Sequence, residues 1–356
     1  MTDISHLLEH LRTQAKGCRA LGSPFTASLC QAMADDLETG GPTSNIIADW
    51  PTGPRKDALA MRLCGALHHA VLSGDAPDLA EAYPEDRSDW SIDEVWPLAQ
   101  SYLSSEVETV RSFIGSPPQT NETRRSIALL PGFLEIAARF DMPLNILELG
   151  ASVGLNQNWD KFTYQTESWE RSGDSDVIVD TDWRGAPPDN IKQSIQVTER
   201  AACDQNPLDI HDPKQATQLR SYIWADQPDR LARFDAAVKL AQECRVRVDK
   251  QDAAVWLKKK LLERPPNTTT IIFHSVFLQY PPKETIQEII RTIETAGSAA
   301  TSDAPLAWLC FEPEGLFGGP RSSPVMLTRL KTWPGGEIKL LARSDGHATF
   351  VESVQG

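Results

Sequence analysis

Glu148-Leu149-Gly150-Ala151-Ser152-Val153-Gly154 closes an apolar run and opens a change of period, so a carboxylate, a tight turn and a helix start fall close together. A carboxylate at a strand end attracts a cation, while backbone N–H groups at the start of the next helix attract an anion. The turn therefore suits a zwitterionic ligand. It does not suit a dinucleotide pyrophosphate, because G-x-G-x-x-G laid on Gly150 requires glycine where Ser152 and Leu155 stand. Farther along, Asp204, Asp252 and His274 each end or follow a β-rich run. A carboxylate in such a place can accept from both hydroxyls of a ribose, and an imidazole titrating near ~6.5 can take up a proton. Each residue also has a plainer role: a local hydrogen bond for Glu148, a helix N-cap for Asp252, a satisfied core histidine for His274.

Composition narrows the partners. A chain of 356 residues with 40% hydrophobic content can bury a core in each of two domains. Its net charge of −14 argues against nucleic acid and anionic lipid, whose affinity comes largely from Lys and Arg. The basic run 258–260 reads as a solvated helix face. No stretch approaches the roughly 20 apolar residues of a membrane span, and the first residues lack a signal-peptide core, so a cytoplasmic protein is expected. The six cysteines show no C-x-x-C spacing and the adjacent His68 and His69 would diverge on a helix; neither a disulfide framework nor a metal is expected.

The elements that must position these residues change character near residue 140. Before it the chain reads as helices, one started by Ser23-Pro24 and stopped by Gly40-Gly41-Pro42, others over 54–73 and 92–114. After it, strands are predicted at 144–149, 195–203, 246–250, 269–275 and 306–311, with helices beginning near Gly154, Pro213, Asp252 and Pro282. Asp345-Gly346 between alternating runs at 337–342 and 348–354 predicts a closing hairpin. The expectation is an α/β fold, a doubly wound and mostly parallel sheet with a C-terminal antiparallel hairpin. A helical cap or substrate domain over 1–140 precedes a sheet domain over 141–356, which carries an insertion near 164–194.

Strand-helix units closed by a hairpin, with Glu148-Leu149-Gly150 at the first turn, resemble the class I S-adenosylmethionine-dependent methyltransferase fold, a Rossmann-like architecture. "ALGSPF", "QTNETRRSIALLPGF", "ERAACDQNPLD", "SYIWADQPDRL", "FHSVFLQYPP" and "WPGGEIKLLA" are also similar to a bacterial family known only as domain of unknown function 2332, across nearly the whole chain. That family has no assigned activity, so the reaction is implied by the methyltransferase resemblance alone. It implies S-adenosylmethionine as cofactor, held by Glu148, Gly150, Ser152, Gly154 and Asn156 at the first turn. Asp204, before Asn206-Pro207, would take the ribose, and Asp252 with Ala253 the adenine. Ser152 departs from the commoner glycine. Asp204 lies 54 residues past Gly150, where about 20 is usual, so Asp180 or Asp182 is the alternative.

The resemblance also implies where a reaction would occur. His274 would stand beside the transferred methyl as general base, and Gln279-Tyr280-Pro281-Pro282 is similar, in permuted order, to the Asn-Pro-Pro-Tyr turn of amino-methyltransferases. Gln119, Asn121, Glu122 and Arg125 lead into the helix before the first strand and could line a substrate cleft, with helix capping by Thr120 or Asn121 as the alternative. The function expected is methyl transfer to an unidentified small molecule or protein. The alternative is a non-catalytic protein that binds S-adenosylmethionine or a nucleoside on the same scaffold. A nicotinamide-dependent oxidoreductase is disfavoured by the failed glycine pattern.

Overall fold

In the computed structural model of the chain, which describes residues 4–84, 89–119 and 121–354, the Ser23 hydroxyl accepts the N–H of Thr26 and starts a helix at Pro24. That is the start chemistry the sequence requires. The chain divides into two units, one of residues 1–120 and 211–234, the other of residues 121–210 and 235–356. The division falls before the helix that leads into the first strand rather than after it, and residues 211–234 return to the helical unit.

The helical unit contains α1 (Ser5–Ala20), α2 (Pro24–Glu38), α3 (Pro42–Ile47), α4 (Leu59–Ser73), α5 (Pro77–Ala82), α6 (Ile92–Ser105) and α7 (Val107–Ile114). The stretch expected as one helix over 92–114 breaks at Glu106 (φ −114°, ψ 35°), which separates α6 from α7. Ala58, at φ 51°, delays α4 to Leu59. Leu63, Leu67 and Ala70 of α4 pack into a core with Leu29 and Met33 of α2, each large side chain stabilising the unit by roughly 1.5–3 kcal/mol.

The sheet unit begins with α8 (Arg125–Phe140) and β1 (Leu144–Leu149). An insertion follows with β2 (Thr163–Gln165), β3 (Glu170–Arg171), β4 (Ile178–Asp180) and β5 (Asp182–Arg184). Then come β6 (Val197–Asp204), α9 (Pro213–Ser221, in the helical unit), α10 (Pro228–Glu243, in the helical unit as far as Phe234), β7 (Asp249–Lys250), α11 (Ala253–Leu262), β8 (Thr269–Ser275), α12 (Lys283–Ser298) and β9 (Leu306–Pro313). The chain closes with β10 (Met326–Trp333), β11 (Ile338–Ser344) and β12 (Phe350–Ser353). The nine-stranded sheet has the order β5-β12-β11-β10-β9-β8-β1-β6-β7. From β7 to β9 neighbours are parallel, from β9 to β12 antiparallel, and β5 adds to β12 in parallel. The protein is thus an α/β fold built on a large, mostly parallel central sheet. The Asp-Gly turn joins β11 to β12 as expected, while β10 turns the C-terminal part into a continuous meander.

Both faces of the parallel strands are covered, which explains their nearly continuous apolar sequences. On one face Ile272 and Leu306 pack with Trp256 and Leu257 of α11 and Ile289 and Ile293 of α12. On the other, Gly132 of α8 leaves room for Leu309, whose Cδ1 would lie 2.3 Å from a Cβ there. Phe133 stacks on Trp159 at 3.7 Å.

Candidate functional site

The parallel strands bring the acidic residues to one end of the sheet. Glu148 of β1 is in register with Ala202 of β6, so Asp204 at the end of β6 stands beside the turn that follows β1. The turn is tight because three of its residues are left-handed: Gly150 at φ 66°, Ser152 at 54° and Gly154 at 77°. Ser152 is the costly one, as a residue with a Cβ, and its conformation aims its N–H at Asp204 Oδ2, 2.8 Å away. Asp204 Oδ1 accepts the N–H of Asn206 at 2.9 Å, which gives Asn206 a local role.

Glu148 is buried and accepts Gln157 Nε2 at 2.9 Å. Burial pushes its carboxyl up to about 8, and the nearby Asp204 charge adds to the effect while the Gln157 bond offsets part of it. Glu148 is thus a neutral acid near pH 7, and a cation beside it would favour its ionisation. Asp204 remains half-exposed, and each of its oxygens keeps a lone pair for a further donor.

The residues placed before β1 hold this turn. Asn121 Nδ2 donates to the Ala151 carbonyl at 3.0 Å and Asn121 Oδ1 accepts the Leu155 N–H at 2.8 Å. Glu122 is buried, its Oε1 accepting the Arg124 N–H, and Arg125 Nε donates to the Gly346 carbonyl at 2.9 Å. Asn121, Glu122 and Arg125 therefore brace the first turn and the hairpin. Gln119 belongs to the helical unit and is partly exposed; Thr120 lies outside the described residues. The segment after Gly154 is a 3-10 helix over Leu155–Lys161 rather than an α-helix. Its starting N–H groups at Gly154, Leu155 and Gln157 are already bonded, so they do not form the anion site the sequence suggested. Asn156 Oδ1 and both amide atoms of Asn158 are buried with no hydrogen-bond partner among the described residues.

The third acid follows β7. Gln251 N–H donates to the Asp204 carbonyl at 3.0 Å, which fixes Asp252 one residue beyond the end of the Asp204 strand. Asp252 caps α11, its Oδ1 accepting from Ala254 and Val255, with Ala253 as the first helical residue. Asp252→Ala is expected to lower stability by about 1 kcal/mol through the lost cap, read as a shift in the urea midpoint at unchanged m-value. Of the alternative acids, Asp180 pairs with Arg124 at 3.0 Å, and Asp182 pairs with Arg184 on β5, at the sheet edge opposite β7.

His274, at the end of β8, is fully buried with both ring nitrogens engaged: Nδ1 donates to Glu312 Oε1 at 2.7 Å, and Nε2 accepts Trp308 Nε1 at 2.9 Å. A base at this position would have to break one of these bonds. Glu312 Oε1 also accepts the N–H groups of Phe277 and Leu278 at 2.8 and 3.2 Å. This cluster fixes the loop after β8, where Val276 is held at φ 54°, an uncommon conformation for a β-branched residue. Phe277 is thereby laid on Gly150, with its Cδ2 only 2.3 Å from where a Cβ would be, while Val246 and Val248 lie against Gly154. Gln279 and Tyr280 are exposed on the same loop.

Sequence reasoning missed Gln157, Phe277, Trp308 and Glu312. A signal for Glu312 was present, since it ends the fifth parallel strand as Glu148 ends the first. Turns with left-handed residues thus meet at the ends of the adjacent strands β1 and β8, with Glu148 and Asp204 beside them. Among the described residues no helix is long and apolar enough to cross a membrane. A family profile described as an uncharacterized protein conserved in bacteria (DUF2332) matches residues 8–353. No curated protein and no solved structure matches the chain.

Proposed function

The chain belongs to this bacterial family, DUF2332, and from that premise we propose that it is an S-adenosylmethionine-dependent methyltransferase acting on a small molecule or protein. Asp204 carries the reading. It ends the strand beside β1, keeps acceptor capacity, and meets the glycine turn through the Ser152 N–H. The acceptor set fits a ligand with vicinal hydroxyls at Asp204 and a cationic group near Glu148, and the orphaned Asn156 Oδ1 adds an acceptor at the turn. Asp252, exposed at the end of the third strand, is the candidate for the adenine edge. When bound, S-adenosylmethionine supplies an electrophilic methyl group. The chain's own part is to orient it and to keep Glu148 as the counter-charge. With His274 engaged at both nitrogens, the acceptor would be one that reacts as a free amine or an already ionised group.

Two charged hydrogen bonds supply about 3–6 kcal/mol, less than the roughly 8.2 kcal/mol of micromolar affinity, so buried adenine surface must contribute the remainder. Calorimetry with S-adenosylhomocysteine is the test. Binding is expected, with Asp204→Ala weakening it by about 10- to 100-fold. Because Glu148 titrates at about 8, seating an ammonium beside it at pH 7 is expected to release up to ~0.9 proton, visible as a dependence of the apparent enthalpy on the buffer's ionisation enthalpy. No binding at near-millimolar ligand would overturn the cofactor assignment.

A second reading, a non-catalytic protein that binds S-adenosylmethionine or a nucleoside, is favoured by Phe277, whose ring lies against Gly150. Binding without methyl transfer to any fraction of a cell extract would support it.

A further inference from the structure

Among the described residues the face of β9, β10 and β11 beyond α12 has no helix of its own, because the chain leaves β9 through a single 3-10 turn, Glu314–Phe317, and a short loop that returns it as β10. A sheet face left this way must be covered or used. It forms a groove of about 240 Å³ walled by Leu278, Ile286, Ile290, Trp308, Leu330 and Ile338. Ile338 and Leu316 stay exposed at its edge. Cys310 lies in its floor with burial pushing its thiol up to about 12, so the floor behaves as apolar surface rather than as a nucleophile.

Two cations enter this lining, and their states differ. Lys331 is neutralised by Glu294, with Nζ 2.7 Å from Oε1. Arg329 has no carboxylate in ion-pair reach among the described residues; its guanidinium lies 4.1 Å from the centre of the Phe317 ring. Stacking on an aromatic face leaves the edge N–H groups of a guanidinium pointing outward, the fork that takes a carboxylate through two parallel bonds. In a chain of net charge −14, an uncompensated arginine on an apolar groove is a specific feature rather than a general basic surface. The volume suits one small ligand, and a stable protein partner would need roughly 800 Å² per side.

The geometry points to a binding site for a medium-chain aliphatic carboxylate, with the alkyl chain between α12 and the sheet and the carboxylate on Arg329. The site does not depend on the methyltransferase reading. Calorimetry of the full chain with saturated carboxylates from hexanoate to dodecanoate tests it, with decyltrimethylammonium as the cationic control. Affinity is expected to rise about fourfold per methylene until the groove is filled. Arg329→Gln, which keeps the stem, is expected to weaken decanoate at least tenfold. Ile290→Trp should abolish binding by filling the groove, with circular dichroism and melting confirming that both variants fold. Equal binding of decanoate and decyltrimethylammonium, an unchanged Arg329→Gln variant, or no binding at millimolar decanoate would overturn the proposal. Light scattering that shows a dimer lost on Ile338→Glu, with no carboxylate bound, would assign the groove to a second copy and likewise overturn it.

Discussion

Replacing Glu148 by glutamine is expected to leave stability near pH 5 within about 1 kcal/mol of the parent and to raise it by on the order of 4 kcal/mol at pH 8. The reason is linkage. The folded chain holds the Glu148 proton up to about pH 8, whereas the ordinary value is 4.5. A group whose folded value is raised contributes stability that is fully present below its unfolded value and is lost as pH rises through the folded one. Over that window each pH unit costs the parent about 1.4 kcal/mol, and the amide, which cannot ionise, costs nothing. The side-chain bond is retained, because Gln157 Nε2 can donate to an amide oxygen as it does to Glu148 Oε2. Other groups titrate between pH 5 and 8 in both proteins, so the difference between their urea curves isolates this one. Parallel pH profiles would mean that Glu148 ionises normally, and the proton release proposed for ligand binding would fail with it.

The elements that were legible in the sequence are those whose residues face one kind of environment along their whole length. β1 and β8 match their predicted ranges to the residue, because every position of β1 is buried and β8 is buried except at its last residue. Edge position blurs the signal: the run 246–250 pairs only at Asp249 and Lys250, since β7 has a neighbour on one side. β10 went unread although its burial alternates almost perfectly from Met326 to Thr332. Two of its buried positions, Thr328 and Thr332, are polar while Leu327 on the other face is apolar, so the residue types do not follow the burial; Thr328 satisfies its hydroxyl by donating to the Ala128 carbonyl. The helix expected after Gly154 failed for a related reason. All five residues from Leu155 to Trp159 are buried, so no solvent face supports an amphipathic α-helix.

The candidate site was legible where a charge ends a strand and illegible where a distant loop completes it. Glu148, Asp204 and Asp252 could be chosen because an acid at the end of a β-rich run is a local pattern. That Asp252 caps α11 while lying next to the Asp204 strand shows why a local pattern cannot separate a cap from a ligand: one carboxylate satisfies both descriptions. The cluster of Trp308, His274 and Glu312 joins β8 to β9, and its effect is felt at Gly150 through Phe277. Contacts of that separation leave no periodicity to read.

The coupling between those two loops can be measured as a double-mutant cycle. Gly150→Ala is expected to cost about 2–5 kcal/mol, in two parts of different origin. A Cβ at φ 66° costs an L residue about 1–2 kcal/mol whatever surrounds it. A Cβ 2.3 Å from Phe277 Cδ2 adds an overpacking cost of about 1–3 kcal/mol. Phe277→Ala removes only the second part. In that background Gly150→Ala is expected to fall to the backbone cost, giving a coupling of about 1–3 kcal/mol, where costs that add within about 0.5 kcal/mol would show that the ring does not rest on the turn. The same variants separate the functional readings. If the ring stands where a ligand would lie against Gly150, Phe277→Ala strengthens S-adenosylhomocysteine binding while weakening the fold. If the ring instead orders the turn that carries the Ser152 N–H to Asp204, the same substitution weakens both. Opposite signs in stability and affinity would therefore identify Phe277 as a plug on the glycine turn, and equal signs as part of its support.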